Sequence, residues 1–267
     1  MNSNIFQFNR FIKLFVREYH QQTKTLIWFA ILFAILPIFQ FVLNWSNIGF
    51  QSTLSTRETF LSIFVVALGV FSPFIFFYTN NHPKKGLNDV MLPASTLEKY
   101  IEMQLFCILL IPIATFILYG GMDALLHLIS PKIYEGMAIT NFFDQNFVID
   151  GLLVYLLATQ ISIFFNTLFV RRKILKGFGV FILIQILTTL LMGLAMGILD
   201  KLGYIESLKN SRHDIHFNIE GSLNLFDFNP SYHPVILTFQ AFRVFFLVVL
   251  PIILIISSYY IMRNKKY

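Results

Sequence analysis

The chain has 267 residues, of which 56% are hydrophobic and only 13% are charged. Soluble globular domains carry about 25% charged residues, so this composition excludes an ordinary soluble domain. The longest polar stretch, 200–234, is too short to fold alone as a catalytic domain. The formal net charge of +6 is typical of nucleic-acid-binding proteins, but the positions of the basic residues indicate a different cause.

Six apolar runs are each long enough to cross a bilayer core of about 30 Å. Five of them contain no Asp, Glu, Lys, Arg or His, and the third contains only Glu102, next to its first residue. Because backbone polar groups in hydrocarbon must be satisfied within the segment, each run is expected to be helical. The sequence therefore predicts an all-α, polytopic membrane protein in which residues 1–267 form one transmembrane domain. The predicted spans are 25–43, 60–78, 101–119, 152–170, 177–199 and 244–262.

The basic residues are divided unequally between the two sides that six spans define. Fourteen Lys and Arg residues fall on the side that holds both ends of the chain, and five fall on the other, with Arg243 at the edge of the last span. Cytoplasmic segments carry an excess of Lys and Arg, so both ends are predicted to be cytoplasmic. Topology thus explains the positive charge, and no nucleic-acid partner is expected. The fourteen are Arg10, Lys13, Arg17, Lys24, Lys84, Lys85, Lys99, Arg171, Arg172, Lys173, Lys176, Arg263, Lys265 and Lys266.

A basic amphipathic helix is predicted at 5–19, before the first span. Apolar residues recur there at spacings of three and four, and Arg10, Lys13 and Arg17 fall on the opposite face. A helix of this kind lies flat in the cytoplasmic headgroup layer of the membrane. The alternative is a disordered basic tail. The apolar face comprises Ile5, Phe8, Phe11, Ile12, Phe15, Val16 and Tyr19.

The common patterns that hold a nucleotide or a catalytic group are missing from the sequence. There is no P-loop, no His-Glu-x-x-His helix and no Gly-x-Ser-x-Gly elbow. We therefore expect no enzymatic activity and no cofactor in this chain. His213, Asp214 and His216 form a small cluster in the last outer loop, but such clusters are common by chance, so no metal site is assigned.

Small and polar residues within the spans are expected to contact neighbouring helices. Gly193 and Gly197 form a Gly-x-x-x-Gly pattern in the fifth span, which allows two helices to approach closely. Both a subunit interface and packing within one chain would use this pattern. The polar residues are predicted to form hydrogen bonds between helices rather than to bind a substrate. They are Gln40, Gln160, Asn166, Gln185, Thr188 and Thr189.

The loop after the second span carries the most specific pattern. Ser95 and Glu98 have the spacing of a capping box, which predicts a helix that begins there and leads into the third span. A short apolar patch precedes it and ends at Pro93, which indicates docking to a soluble partner. The alternative is that these residues form only the capped start of a helix. The patch comprises Leu87, Val90, Met91 and Leu92.

The stretch 92–100 reads Leu-Pro-Ala-Ser-Thr-Leu-Glu-Lys-Tyr. It resembles the segment after the second span of type-2 ABC transporter permeases, in the form common among Bacteroidetes-type bacteria. The wider layout is similar over nearly the whole chain: an interfacial helix, six spans, a short first outer loop and a longer outer segment before the last span.

The resemblance implies a permease subunit of an ATP-driven exporter in the bacterial inner membrane. Two permease subunits, alike or different, would form a dimer and bind separately encoded ABC ATPase subunits. The first and fifth spans would form the dimer interface, which would place Gly193 and Gly197 in the contact. The N-terminal helix and the loop after the second span would receive motion from the ATPase. The coupling residues of that loop would be Leu87, Val90, Met91, Leu92, Pro93, Ser95 and Glu98.

Three other functions fit a six-span chain. A stand-alone secondary transporter or channel is one, although the shortage of ionisable residues deep in the spans counts against it. A membrane-embedded enzyme acting at the headgroup level is another, and it would use Glu102 or the outer acidic residues. The third is a structural scaffold.

Overall fold

The computed structural model of the protein describes residues 6–46, 53–78, 94–131, 134, 136–138, 145–170, 172–204 and 234–264. In these ranges all regular structure is helical, and six helices are long and apolar enough to cross a membrane. The predicted all-α, multi-pass architecture is therefore confirmed. The helices are α1 (Phe8–Trp45), α2 (Leu54–Phe76), α3 (Thr96–Ile129), α4 (Gln145–Leu168), α5 (Lys173–Lys201) and α6 (Pro234–Val244, Phe245–Val249 and Leu250–Asn264 in succession).

The helix α1 is continuous, so the segment predicted as an interfacial helix and the predicted first span form a single element. The boundary that the sequence predicted between them is absent. Residues 20–24, which connect the two segments, contain neither Gly nor Pro, and so nothing there ends a helix. At 1.5 Å per residue α1 is about 57 Å long, nearly twice the thickness of the bilayer core.

Two helices contain π-helical segments, at Phe106–Leu110 and Phe116–Gly120 in α3 and at Phe245–Val249 in α6. Pro112 and Pro251 each lie two residues after the last residue of one of these segments. The ring of a proline inside a helix clashes with the carbonyl four residues earlier, which in both cases lies within the π-helical segment. The wider turn gives the ring room, and the helix continues past it.

The helices pack through a glycine contact and an aromatic core. A Cβ atom at Gly69 of α2 would lie 2.7 Å from Thr159 Oγ1 and 2.7 Å from the ring of Tyr155 in α4, so the close approach of these helices requires glycine. Phe76 and Phe106 lie at the centre of the main core, with ring centroids 5.1 Å apart. In α5, all of whose residues are described, only Lys173 and Gly177 are buried.

Cysteine labelling tests the predicted sides of the membrane. Lys176 and Ser55 are exposed and near opposite ends of the helices, whereas Cys107 is buried. In a Cys107→Ser background, a membrane-impermeant reagent should label a Ser55→Cys variant in intact cells. A Lys176→Cys variant should react only after lysis, because its segment is predicted to be cytoplasmic. Equal labelling of both variants in intact cells would contradict the six-span topology.

Candidate coupling site

The start of α3 carries the capping box that the sequence predicts. The Ser95 hydroxyl accepts a hydrogen bond from the Glu98 backbone N–H at 3.2 Å, and Glu98 Oε2 accepts one from the Ser95 N–H at 2.8 Å. Two N–H groups that a helix start leaves without partners are satisfied in this way. The prediction is confirmed, and the end of the loop after α2 is fixed to α3.

Glu98 also binds the N-terminal end of α1. Its second carboxylate oxygen, Oε1, accepts hydrogen bonds from the Gln7 N–H at 2.7 Å and from Arg10 Nη2 at 2.8 Å. The Glu98 side chain is fully buried, while that of Arg10 is 26% exposed. A buried carboxylate is stable only when its oxygens are paired, and here both are. Glu98 therefore joins the start of α3 to the start of α1.

The end of α2 lies at the same end of the molecule. Lys173 Nζ donates hydrogen bonds to the Tyr78 carbonyl at 3.0 Å and to Asn166 Oδ1 at 2.8 Å. The Asn166 amide donates in turn to the Pro73 carbonyl at 2.9 Å and to the Phe77 carbonyl at 3.3 Å. Tyr78 directly follows the C-cap residue of α2, Phe77, and a helix end of this kind carries partial negative charge, so a lysine ammonium is stabilised there. Lys173 thus holds the start of α5 against the end of α2.

Further contacts of α1, one with α2 and one with α3, lie at this end of the helices. Gln22 Nε2 of α1 donates to the Phe76 carbonyl at 2.8 Å. Phe15 of α1 lies against Phe106 of α3, with ring centroids 6.3 Å apart. The N-terminal part of α1, both ends of the loop after α2 and the start of α5 are therefore held together. The six-span topology predicts that these segments share one membrane side.

Part of the predicted coupling loop lies outside the described residues. This applies to Leu87, Val90, Met91, Leu92 and Pro93, and also to the candidate metal residues His213, Asp214 and His216. Ser95 and Glu98 are the described members of the coupling set. Their contacts show where the loop ends, next to α1.

The basic residues predicted for the interfacial helix have two different surroundings. Arg10 pairs with Glu98, whereas Lys13 and Arg17 are exposed. The apolar residues are divided as well. Phe11 is buried and Phe15 packs against the core, but the other described members are exposed, and Ile5 lies outside the described residues. The exposed ones are Phe8, Ile12, Val16 and Tyr19.

The two glycines predicted to lie at a dimer contact are on the exposed helix α5. Apart from the adjoining residues of α5 itself, a Cβ atom at Gly193 or Gly197 would have no described atom within 4 Å. Among the described residues, the Gly-x-x-x-Gly pattern therefore has no packing role within the chain. The dimer contact stays a prediction.

A buried ion pair lies at the opposite end of the helices. Arg57 Nη1 of α2 donates to Asp123 Oδ1 of α3 at 2.8 Å, with side-chain exposures of 1% and 0%. Asp123 Oδ2 accepts a hydrogen bond from the Ala138 N–H at 2.7 Å, and Arg57 Nη2 donates to the Gly136 carbonyl at 3.2 Å. The pair thereby holds the segment after α3 against both helices.

Tyr134, which lies in the segment after α3, packs against this ion pair. The Arg57 guanidinium carbon lies 3.7 Å from the centroid of the Tyr134 ring, a cation–π contact. Burial raises the pKa of the Tyr134 phenol, and the Asp123 carboxylate raises it further, so the ring stays neutral. A ring nitrogen of His127 is 2.7 Å from the Tyr134 carbonyl.

This ion pair was not predicted from the sequence. The third apolar run ends at Tyr119, which placed Asp123 in an outer loop, but α3 continues to Ile129. Arg57 is the only basic residue between the first two predicted spans, three residues before an apolar run. A basic residue so close to the start of a span was the feature of the sequence that could have indicated a buried ion pair.

Polar residues within the helices form the predicted interhelical hydrogen bonds in three cases. Gln104 and Gln160 exchange amide hydrogen bonds of 3.1 and 2.7 Å between α3 and α4. The Tyr119 hydroxyl donates to Gln40 Oε1 at 3.1 Å, and Asn166 bonds to α2 as described above. Thr188 and Thr189 instead donate to the Gln185 carbonyl of their own helix. Gln40, Gln160 and Asn166 are therefore used for helix packing, whereas Thr188 and Thr189 are not.

The fold and these contacts define a multi-pass α-helical membrane protein whose described residues include polar clusters at both ends of the helices. No protein-family model, curated protein or solved structure matches the chain. Among the described residues, no group of three or more His, Cys, Asp or Glu side chains is arranged to hold a metal ion.

Proposed function

We propose that this chain is the permease subunit of an ATP-driven ABC exporter, located in the bacterial inner membrane. It works as a dimer of permease subunits with separately encoded ATPase subunits. The substrate crosses between the two permease subunits, and ATP hydrolysis takes place in the partner. The residue pattern at 92–100 and the six membrane-spanning helices support this proposal.

The contact of Glu98 with Gln7 and Arg10 carries the proposal. In such an exporter, motion of the ATPase must pass through the loop after α2 to the helices. A loop that moved freely would not transmit this motion. Glu98 is buried and binds the starts of both α1 and α3. A displacement of this loop end is therefore passed to two helices at once.

A charge placed in the apolar patch of the loop tests the partnership. The Leu92→Asp variant should insert and express normally, because the loop is predicted to lie outside the bilayer. In the complex the new carboxylate would be buried without a partner, at a cost of several kcal/mol. We expect the ABC ATPase to be lost on co-purification from membranes and substrate-stimulated ATP hydrolysis to fall.

Leu202→Asp is the matched control for this experiment. Leu202 is 63% exposed and follows α5 at the other predicted side of the membrane, so the same substitution there should leave ATPase association unchanged. Normal association of the ATPase with a well-expressed Leu92→Asp protein would contradict the proposed docking loop.

A second candidate function is a stand-alone secondary transporter. The Arg57–Asp123 pair favours it, because ionisable residues buried within membrane helices often carry coupled ions or protons. Reconstitution of the purified chain into proteoliposomes separates the two functions. Substrate transport driven by an ion gradient without any ATPase would support the second candidate, whereas dependence on ATP and a partner would support the first.

A further inference from the structure

One exposed stripe of α1 changes from basic to apolar along the helix. Arg17, Lys24, Trp28, Ile31 and Ile35 follow one another at spacings of seven, four, three and four residues, which places them on one helical face. All five side chains are exposed, and Trp28 is 65% exposed. In a single chain the stripe is therefore accessible from the surroundings of the helix.

The basic part of the stripe has no acidic neighbour on its own face. Glu18 is the only acidic residue between Phe6 and Ile35. It lies about 100° around the helix from Arg17, on the side that faces the core, and accepts a hydrogen bond from Gln22 Nε2 at 3.1 Å. The exposed positive charges of Arg17 and Lys24 are therefore not neutralised by an acidic residue on their own face of α1.

We propose that this stripe binds an anionic phospholipid of the leaflet in which α1 begins. Arg17 and Lys24 contact the headgroup phosphate, and one acyl chain lies along Trp28, Ile31 and Ile35. Lys24 and Ile35 are about 16 Å apart along the helix axis, which matches half of a bilayer core of about 30 Å. Arg17 is about 10 Å beyond Lys24, within reach of the same headgroup through its long side chain.

The order of residues along the stripe favours a lipid over an acidic protein. Trp28 lies one turn after Lys24, and tryptophan prefers the boundary between headgroups and hydrocarbon. Basic side chains next to a membrane span are attracted to anionic lipids. A soluble acidic protein could contact Arg17 but could not follow the stripe into the hydrocarbon. The proposal does not depend on the ATPase partnership.

Lipid titration of the full-length protein tests this site. The protein is purified in a mild detergent and titrated with phosphatidylglycerol or with phosphatidylcholine of identical acyl chains, and bound lipid is counted by native mass spectrometry. Each basic side chain near an anionic headgroup contributes about a fivefold factor in affinity. The Arg17→Gln/Lys24→Gln variant should therefore lose about thirtyfold in phosphatidylglycerol affinity, with phosphatidylcholine binding unchanged.

Lys176→Gln/Arg263→Gln is the matched control, because it removes two other exposed charges. It should keep the preference for phosphatidylglycerol. An equal loss in both variants would show that the preference comes from net charge, and would overturn the site. Displacement of the lipid by inorganic phosphate at matched ionic strength would overturn the role of the acyl chain. The absence of any preference in the wild-type protein would overturn the proposal.

Discussion

Replacement of Asp123 by alanine is expected to lower the free energy of unfolding by about 3–5 kcal/mol. The substitution leaves the Arg57 guanidinium buried next to Tyr134 without its carboxylate, and it removes the acceptor of the Ala138 N–H. A buried charge that loses its partner costs far more than the pair itself contributes. Reversible unfolding of the purified protein in mixed micelles measures the change.

Two further variants separate the ion pair from general effects of substitution. The Arg57→Leu/Asp123→Leu variant removes both charges and should be more stable than Asp123→Ala, because no unpaired charge remains. Asp200→Ala changes an exposed acidic residue and should shift stability by less than about 0.5 kcal/mol. Wild-type stability in the Asp123→Ala protein would show that the pair is not buried as described.

Replacement of Glu98 by alanine is expected to lower the free energy of unfolding by about 3 kcal/mol. The loss of the helix cap alone costs about 1 kcal/mol. The Gln7 and Arg10 hydrogen bonds to a charged acceptor add to it, less a reduction because Arg10 is 26% exposed and can regain water. Under the proposed function, substrate-stimulated ATP hydrolysis should fall as well, because α1 is no longer tied to the loop.

Ser95→Ala is the matched control for Glu98→Ala. It removes one half of the same capping box and leaves the Arg10–Glu98 pair intact, so it should cost only about 1 kcal/mol and preserve coupling to the ATPase. A double-mutant cycle with Arg10→Ala measures the energy of the pair directly. If Ser95→Ala and Glu98→Ala had equal effects on stability and coupling, Glu98 would act only as a helix cap and not as a link to α1.

Hydropathy and local spacing were sufficient for much of the architecture. A membrane span is recognisable because each run must be apolar along its own length, whatever it packs against. The capping box was predicted for a similar reason, since Ser95 and Glu98 are only three residues apart. In both cases the interacting groups are neighbours in sequence.

The polar clusters could not be predicted in this way. Arg10 and Glu98 are 88 residues apart, and Arg57 and Asp123 are 66 apart, so their pairing depends on how the helices pack. The continuity of α1 was missed for a different reason. The change from a basic amphipathic pattern to an apolar one suggested two elements, although a change in surroundings does not by itself break a helix.

The unbroken part of α1 before Pro37 can act as a lever. It is about 43 Å long, and a change in tilt of about 10° would move one end by about 7 Å relative to the other. Glu98 holds this lever at its first turn. Beyond Pro37, the hydrogen bond of Gln40 and the edge-to-face contact of Phe41 with Tyr134 attach α1 to the ion-pair cluster at the far end. Pro37, which removes one helix hydrogen bond, lies where such a lever would pivot.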